Sequence, residues 1–518
     1  MTSTTRMRAP RLGLIATAAV ALVLASAVAQ PAPRAHADVP DFCAAGVETD
    51  FDGDGRPDLV VGDPTATVDG QLNAGTITVS YGTGAGTIGD GPAETLSEDD
   101  LASIDGSSAG DRFGFALASA DIDCDGYSDL LVGTPYENVG ATADAGAVHL
   151  FRGGVGGLGA FDGTWFRASD FGMSTVAGDR FGHALDVKED VGQGGTPAPD
   201  AYALAIGVPG RDVGGDADAG AVAARVPFDG GGVTIWYTSD SPTVPGASEP
   251  GDQLGTSVAI GQFTGFADVV DIAVGAPYED IGSVSNAGDV TVLEDVYFDE
   301  PEDAFLLDQG RPDVPGSIEQ GDRFGHSLDA ALVGSVWRLA VGIPREDIGG
   351  DADAGWAQVF NASGTSLVPG IALNQDTSGV DGAAEAGDLF GQVVAWVPPT
   401  TWDNRSRLAV AVPGEDGTAT NTGLVQVVPI FDAADDTGYS QSSPGVPGAP
   451  QAGDKFGLAI SVITAPGEQA LLVGSPTDVG YPDGLVAVIP SDGGAPRGLA
   501  PDDVGASTFG AGLVGDGL

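Results

Sequence analysis

The sequence predicts an all-β fold: a seven-bladed β-propeller of four-stranded blades, its ring closed by the C-terminal strand joining the N-terminal blade. Three observations carry that prediction. An opening motif, Gly-Asp-x-x-Gly, recurs at Gly110, Gly178, Gly251, Gly321, Gly387 and Gly453, with spacings of 68, 73, 70, 66 and 66 residues. A closing motif, Gly-x-Pro, recurs from Gly62, Gly133, Gly207, Gly275, Gly342 and Gly474, with a weakened copy at Ala411-Val-Pro413. The closings outnumber the openings by one, and the missing opening stands at the far end of the chain, in Thr508-Phe509-Gly510. Internal periods of this size mean an array or a propeller. A unit split between the two termini decides for a ring, and seven lies within the usual range of about 4–8 blades.

Taken in order, the chain begins with Arg6, Arg8 and Arg11, followed by an almost wholly apolar run from Leu12 to Val28 and the small-x-small triplet Ala35-His36-Ala37. That pattern is a secretory signal peptide over residues 1–37. The run is short for a membrane span and lacks a stop-transfer flank. Residues 38–518 are then expected as one secreted, extracellular propeller domain. The most complete unit is Gly110 to Pro135, GDRFGFALASADIDCDGYSDLLVGTP. Two apolar runs flank an acidic loop there, too short and too glycine-bounded for helices, so the unit reads strand, loop, strand. After each closing motif comes a loop ending in Ala-Gly and an alternating apolar strand, as from Pro135, Pro209, Pro277 and Pro344. A variable strand completes each unit of about four. The 82 Gly and 34 Pro residues punctuate nearly every connection, as a fold of tight turns requires.

Without residues 1–37 the chain holds 16 basic and 74 acidic side chains, a formal charge of −58, with lysine only at 188 and 455. Nucleic acid and anionic lipid both need a cationic face and are excluded as partners. Disorder is excluded by 42% hydrophobic residues arranged in regular short runs. Cys43 and Cys124 are the only cysteines. In an exported chain such a pair reads as one disulfide, with two free thiols as the alternative.

The recurring Phe-Gly followed by Gly-x-Pro resembles the FG-GAP repeats of integrin α-subunit propellers and related secreted bacterial proteins. Seven ordered copies, across Asp38–Leu518, carry the resemblance. It implies the propeller fold, calcium in the acidic loops and a role in partner binding. Outside the repeats the chain departs from the integrin pattern: no inserted metal-dependent adhesion domain, leg or membrane span is expected.

Two loops carry the chemistry. Asp50, Asp52, Asp54, Gly55, Arg56 and Asp58 share one pattern, D-x-D-x-D-G-x-x-D, with Asp121, Asp123, Asp125, Gly126, Tyr127 and Asp129. Alternate carboxylates of a tight loop converge. The glycine permits the turn, Arg56 and Tyr127 can each offer a backbone carbonyl, and the last Asp closes the cage. Hard oxygen donors in this number suit Ca²⁺, and the spacing differs from an EF-hand, whose closing Glu falls at position 12. The FG-GAP resemblance places its calcium loops on these same positions. The remaining units have lost the carboxylate pattern, so two calcium ions are expected, in adjacent blades, pinning hairpins that contain no hydrophobic anchor. Calcium at about ten times the Kd would add roughly 1.4 kcal/mol per site.

A second acidic feature follows the closing motifs, at Glu137, Asp212, Glu279-Asp280, Glu346-Asp347 and Glu415-Asp416. It reads either as a binding rim or as solvated turns. The recurrent opening Asp reads as a backbone acceptor at a turn, and Phe-Gly as packing with close approach. Gly106-Ser-Ser108-Ala-Gly110 matches G-x-S-x-G but precedes an opening strand instead of forming a strand-to-helix elbow. His183 and His326 occupy matching repeat positions, as structural residues do. The expectation is a monomeric, non-enzymatic binding, adhesion or scaffold module for an extracellular protein or glycan. The alternative is an extracellular hydrolase with an active site on the propeller axis.

Overall fold

A computed structural model of the chain describes residues 47–513, apart from 48, 84–87, 102–105, 159–163, 190–201, 229–230, 265–269, 297–300, 302, 400–404, 432–435, 466–467, 479, 482–483, 492–493 and 501–511. The expected leader at 1–37, Cys43 and Phe509 lie outside the described residues. Seven four-stranded antiparallel sheets form a ring. Blade 2 is the pattern for the rest: Ala116–Ala120, Asp129–Thr134, Ala147–Phe151 and Thr164–Phe166, from the inner strand outward. Blades 3 to 7 follow in chain order, with inner strands beginning at Leu185, Ser257, Ser327, Val394 and Ala459.

Blade 1 is assembled from both ends of the chain. Leu59–Asp63, Thr76–Ser80 and Ala93–Leu96 supply three strands. Gly512–Leu513 supplies the inner one, pairing Gly512 with Gly62 and Leu513 with Val61. The core confirms the closure independently. Seven hydrophobic clusters each fill the gap between two neighbouring blades. One joins Leu59 and Val61 of blade 1 to Ile463, Leu472 and Val486 of blade 7. Each sheet is therefore covered on both faces, which is why second strands such as Leu59–Asp63 and Asp129–Thr134 are near-continuous apolar runs.

The repeated motifs are the joints between blades. A Cβ on the closing glycine would stand about 2 Å from the carbonyl oxygen of the glycine that ends the next blade's opening motif: Gly62 against Gly114, Gly133 against Gly182, Gly207 against Gly255. The Ala-Gly glycine meets the Phe backbone itself, Gly75 pairing with Phe113 and Gly146 with Phe181 as parallel bridges. Gly75 sits at φ +94°, a conformation that a side chain would strain. Phe113, Phe181, Phe324, Phe390 and Phe456 are fully buried between the sheets.

On the axis, the inner strands of blades 2 to 7 enclose a cavity of about 220 Å³. Its lining is largely aliphatic, with Asp186 and Asp329 the two carboxylates. Among the described residues no helix is long and apolar enough to cross a membrane.

Candidate metal centre

The second acidic loop joins the inner strand of blade 2 to the next strand outward, and the first leads into the corresponding strand of blade 1, Leu59–Asp63. Asp50, Asp52 and Asp58 bring one carboxylate oxygen apiece within 4.8 Å of one another, and Asp121, Asp123 and Asp129 do the same. The first carboxylate organises the turn by accepting backbone amides. Asp50 takes those of Gly53 (2.8 Å), Asp54 (3.1 Å) and Gly55 (2.8 Å). Asp121 takes those of Asp125 (3.1 Å) and Gly126 (3.0 Å). Gly55 and Gly126, at φ +83° and +91°, make the bend the pattern requires. Asp54 and Asp125 are exposed and stand outside the two groups.

The last carboxylate of each loop has a second task that its position in the pattern does not announce. Asp58 Oδ2 accepts the Phe51 amide and Oδ1 that of Gly82, both at 2.8 Å. Asp129 repeats this with Ile122 (3.1 Å) and Gly153 (2.9 Å). Asp271 of blade 4, in a loop without the full pattern, does it again with Phe263, Thr264 and Asp295. This position staples the hairpin to the following strand with or without an ion. Phe51, Ile122 and Phe263 are buried in the inter-blade core. The expectation of hairpins without a hydrophobic anchor is therefore corrected: position 2 of each loop is the anchor.

Burial sets the electrostatics. It pushes the pKa of Asp58 up to about 8 and that of Asp129 up to about 7, against amide hydrogen bonds that pull them down, and it raises Asp50 and Asp121 as well. Crowded, desolvated carboxylates are what a divalent cation relieves. The two loops are not equal in this. Arg152 Nη1 lies 2.8 Å from Asp129 and 3.1 Å from Asp123, so a guanidinium already sits among the second group. At the first loop Arg56 lies 3.8 Å from exposed Asp54, which stands outside the group.

The loops also touch. Ser128 donates its amide to the Asp50 carbonyl and Gly154 to that of Phe51, each at 2.9 Å. The Tyr127 ring covers Gly53, where a Cβ would come within 2.2 Å of it. No cysteine is a free thiol among the described residues. Cys124, at φ +58° in the second loop, has its expected partner Cys43 outside them.

The sequence profile of the FG-GAP repeat matches residues 44–80 and 113–151, the two segments that contain these loops. The chain carries FG-GAP repeats. Its relatives include integrin alpha pat-2 of Caenorhabditis elegans, 28% identical over 170 residues (30% of this chain, 13% of the relative). Integrin alpha-5 of Xenopus laevis is 37% identical over 106 residues (19% and 9%). Mouse phosphatidylinositol-glycan-specific phospholipase D is 34% identical over 104 residues (20% and 12%). The chain thus matches only about a tenth of the length of these relatives.

The other residues singled out in the sequence have structural places. The opening Asp accepts the amide three residues before it at six joints, as from Ser108 to Asp111 and Val176 to Asp179. His183 packs 4.9 Å from Phe115, and His326 Nε2 lies 2.7 Å from the Gln392 amide nitrogen, so this position links blade to blade. The acids after the closing motif divide. Asp212, Asp280, Asp347 and Asp416 cap their own exposed loops. Glu137 and Glu346 are 3% exposed and belong to the blade junctions, not to a solvated rim.

Proposed function

We infer that this FG-GAP propeller is a secreted calcium-binding module that binds an extracellular protein or glycan, as an adhesion or scaffold component. The observation that carries this reading is the pair of D-x-D-x-D-G-x-x-D loops, with buried, crowded carboxylates, side by side in blades 1 and 2. Asp50, Asp52, Asp54 and Asp58 with the Arg56 carbonyl would hold one Ca²⁺. Asp121, Asp123, Asp125 and Asp129 with the Tyr127 carbonyl would hold the other. Calcium there supplies charge neutralisation and fixes two touching hairpins, while this chain's amides orient the carboxylates. The integrin relatives support the binding role through the repeats they share.

A hydrolase on the axis draws less support. Asp186 accepts the Ile260 amide and lies 3.8 Å from Lys188, and Asp329 accepts the Trp396 amide, so both axial carboxylates are committed to the inner strands. The test is capture of extracellular proteins and glycans by the immobilised chain, in calcium and in EDTA, beside the Asp52→Ala/Asp123→Ala variant. A ligand retained in calcium and lost in both other arms supports the reading. Retention unaffected by chelator and by the variant rejects calcium-dependent binding.

A further inference from the structure

Six blade junctions bury the opening Asp, and five of them place an acid two residues after the closing proline. Three of these junctions neutralise the pair in the same way, whereas Asp252 and Glu279 bond to each other. Gln309, Gln375 and Gln441, each the second residue after an outer strand, donate side-chain amides to Glu346, Glu415 and Asp478. Between blades 2 and 3 an arginine replaces the acid, and Arg211 pairs with Asp179 at 3.0 Å. Between blades 1 and 2 the position of the glutamine is held by Glu98. A third carboxylate therefore replaces the neutralising amide.

The result is a closed acidic pocket. Glu98, Asp111 and Glu137 bring one oxygen each within 4.8 Å of one another, and they are 1%, 0% and 3% exposed. Glu98 contacts both other carboxyl groups of the cluster. A fourth group, from a different strand, reaches Glu98. His149 is 0% exposed, its Nε2 lies 3.0 Å from Glu98 Oε1, and its Nδ1 has no hydrogen-bond partner. Phe113 and Trp165 hold the ring from its flanks, with centroids 5.5 and 6.2 Å away. Burial keeps the imidazole neutral, which is the form that ligates.

We propose that Glu98, Asp111, Glu137 and His149 form a binding site for a divalent transition-metal ion, Mn²⁺ or Zn²⁺, sealed between blades 1 and 2. Adjacent ligands on an ion at about 2.1 Å stand about 3 Å apart, which is the separation of His149 from Glu98. Mixed carboxylate and imidazole donors suit Mn²⁺ or Zn²⁺, whereas Ca²⁺ takes oxygen alone. The site is thus chemically distinct from the two acidic loops and stands whether or not they bind calcium. Buried as it is, it takes its ion during folding, so that binding and folding are one event.

The test is refolding of the whole chain from guanidinium and chelator into excess Ca²⁺, with Mn²⁺, with Zn²⁺ or with neither. Desalting, elemental analysis and a thermal melt follow. The wild type retains about one transition-metal ion per chain and melts higher than when refolded in calcium alone. Glu98→Gln installs the residue used at three other junctions; it retains no such ion, and its melting temperature is indifferent to Mn²⁺ and Zn²⁺. Glu137→Gln provides a second variant with the same expected loss. A wild type that takes up neither ion, leaving a shared proton to hold the carboxylates together, overturns the proposal. So does undiminished retention by either variant.

Discussion

Arg152 makes the two acidic loops chemically different. Its guanidinium occupies the second group of carboxylates, pairing with buried Asp129 and with Asp123, and so competes with any cation placed there. Arg152→Met should lower the melting temperature in EDTA, by about 1–3 kcal/mol of stability, because Asp129 is left buried without its counter-charge. Calcium should restore most of the loss, and the second loop should bind it more tightly than in the wild type. An equal loss in calcium and in EDTA contradicts the competition. Glu346 makes a separate prediction. Burial raises its pKa from 4.5 to about 8, although the Gln309 amide nitrogen lies 2.7 Å away. The folded state therefore holds a proton that the unfolded state releases between pH 4.5 and 8. Its contribution to stability is full below pH 4.5 and is lost as the pH rises through 8. Melts in EDTA across that range should fall less steeply for Glu346→Gln than for the wild type, and an unchanged slope would show that Glu346 is ionised when folded.

At the scale of the element, glycines decide how closely blades approach. Gly133 lies where a Cβ would be 2.1 Å from the Gly182 carbonyl oxygen, whereas a Cβ on Gly154 would meet nothing within 4 Å. Gly133→Ala should destabilise the chain by about 1–3 kcal/mol in urea melts, and Gly154→Ala by a few tenths at most. Equal effects would mean that the joint is not close-packed. These joints explain why so much of the fold was legible. Phe-Gly and Gly-x-Pro are the two halves of one contact repeated around the ring, so the chain repeats them and the period can be counted. The acidic loops were legible for a related reason: their partners lie within nine residues. What could not be read were contacts between distant positions. Arg152 reaches Asp129 from the next strand, and His149 meets Glu98 from another blade. The acids after the closing motif read as a binding rim or as solvated turns because nothing local shows that Gln309 or Gln375 covers them. Glu98 carried one faint signal, a glutamate where three equivalent positions hold glutamine, and it gains meaning only once the outer strands are aligned.

For the whole molecule, closure rests on few contacts. Gly512–Leu513 pairs with Val61 and Gly62 and completes blade 1, the blade that also carries the first acidic loop and faces the acidic junction. A chain ending at Ala500 should lose that strand, expose the edge of Leu59–Asp63 and melt at a lower temperature with a broader transition. A truncated chain as stable and as cooperative as the parent would show that the last strand does not clasp the ring. The central claim is that two touching loops in blades 1 and 2 are calcium sites, and calorimetric titration of the calcium-free chain with Ca²⁺ tests it most directly. The account predicts about two ions per chain, the tighter one lost in Asp52→Ala and the weaker one strengthened in Arg152→Met. Absence of calcium uptake, or a stoichiometry and affinity unchanged by Asp52→Ala, would contradict it.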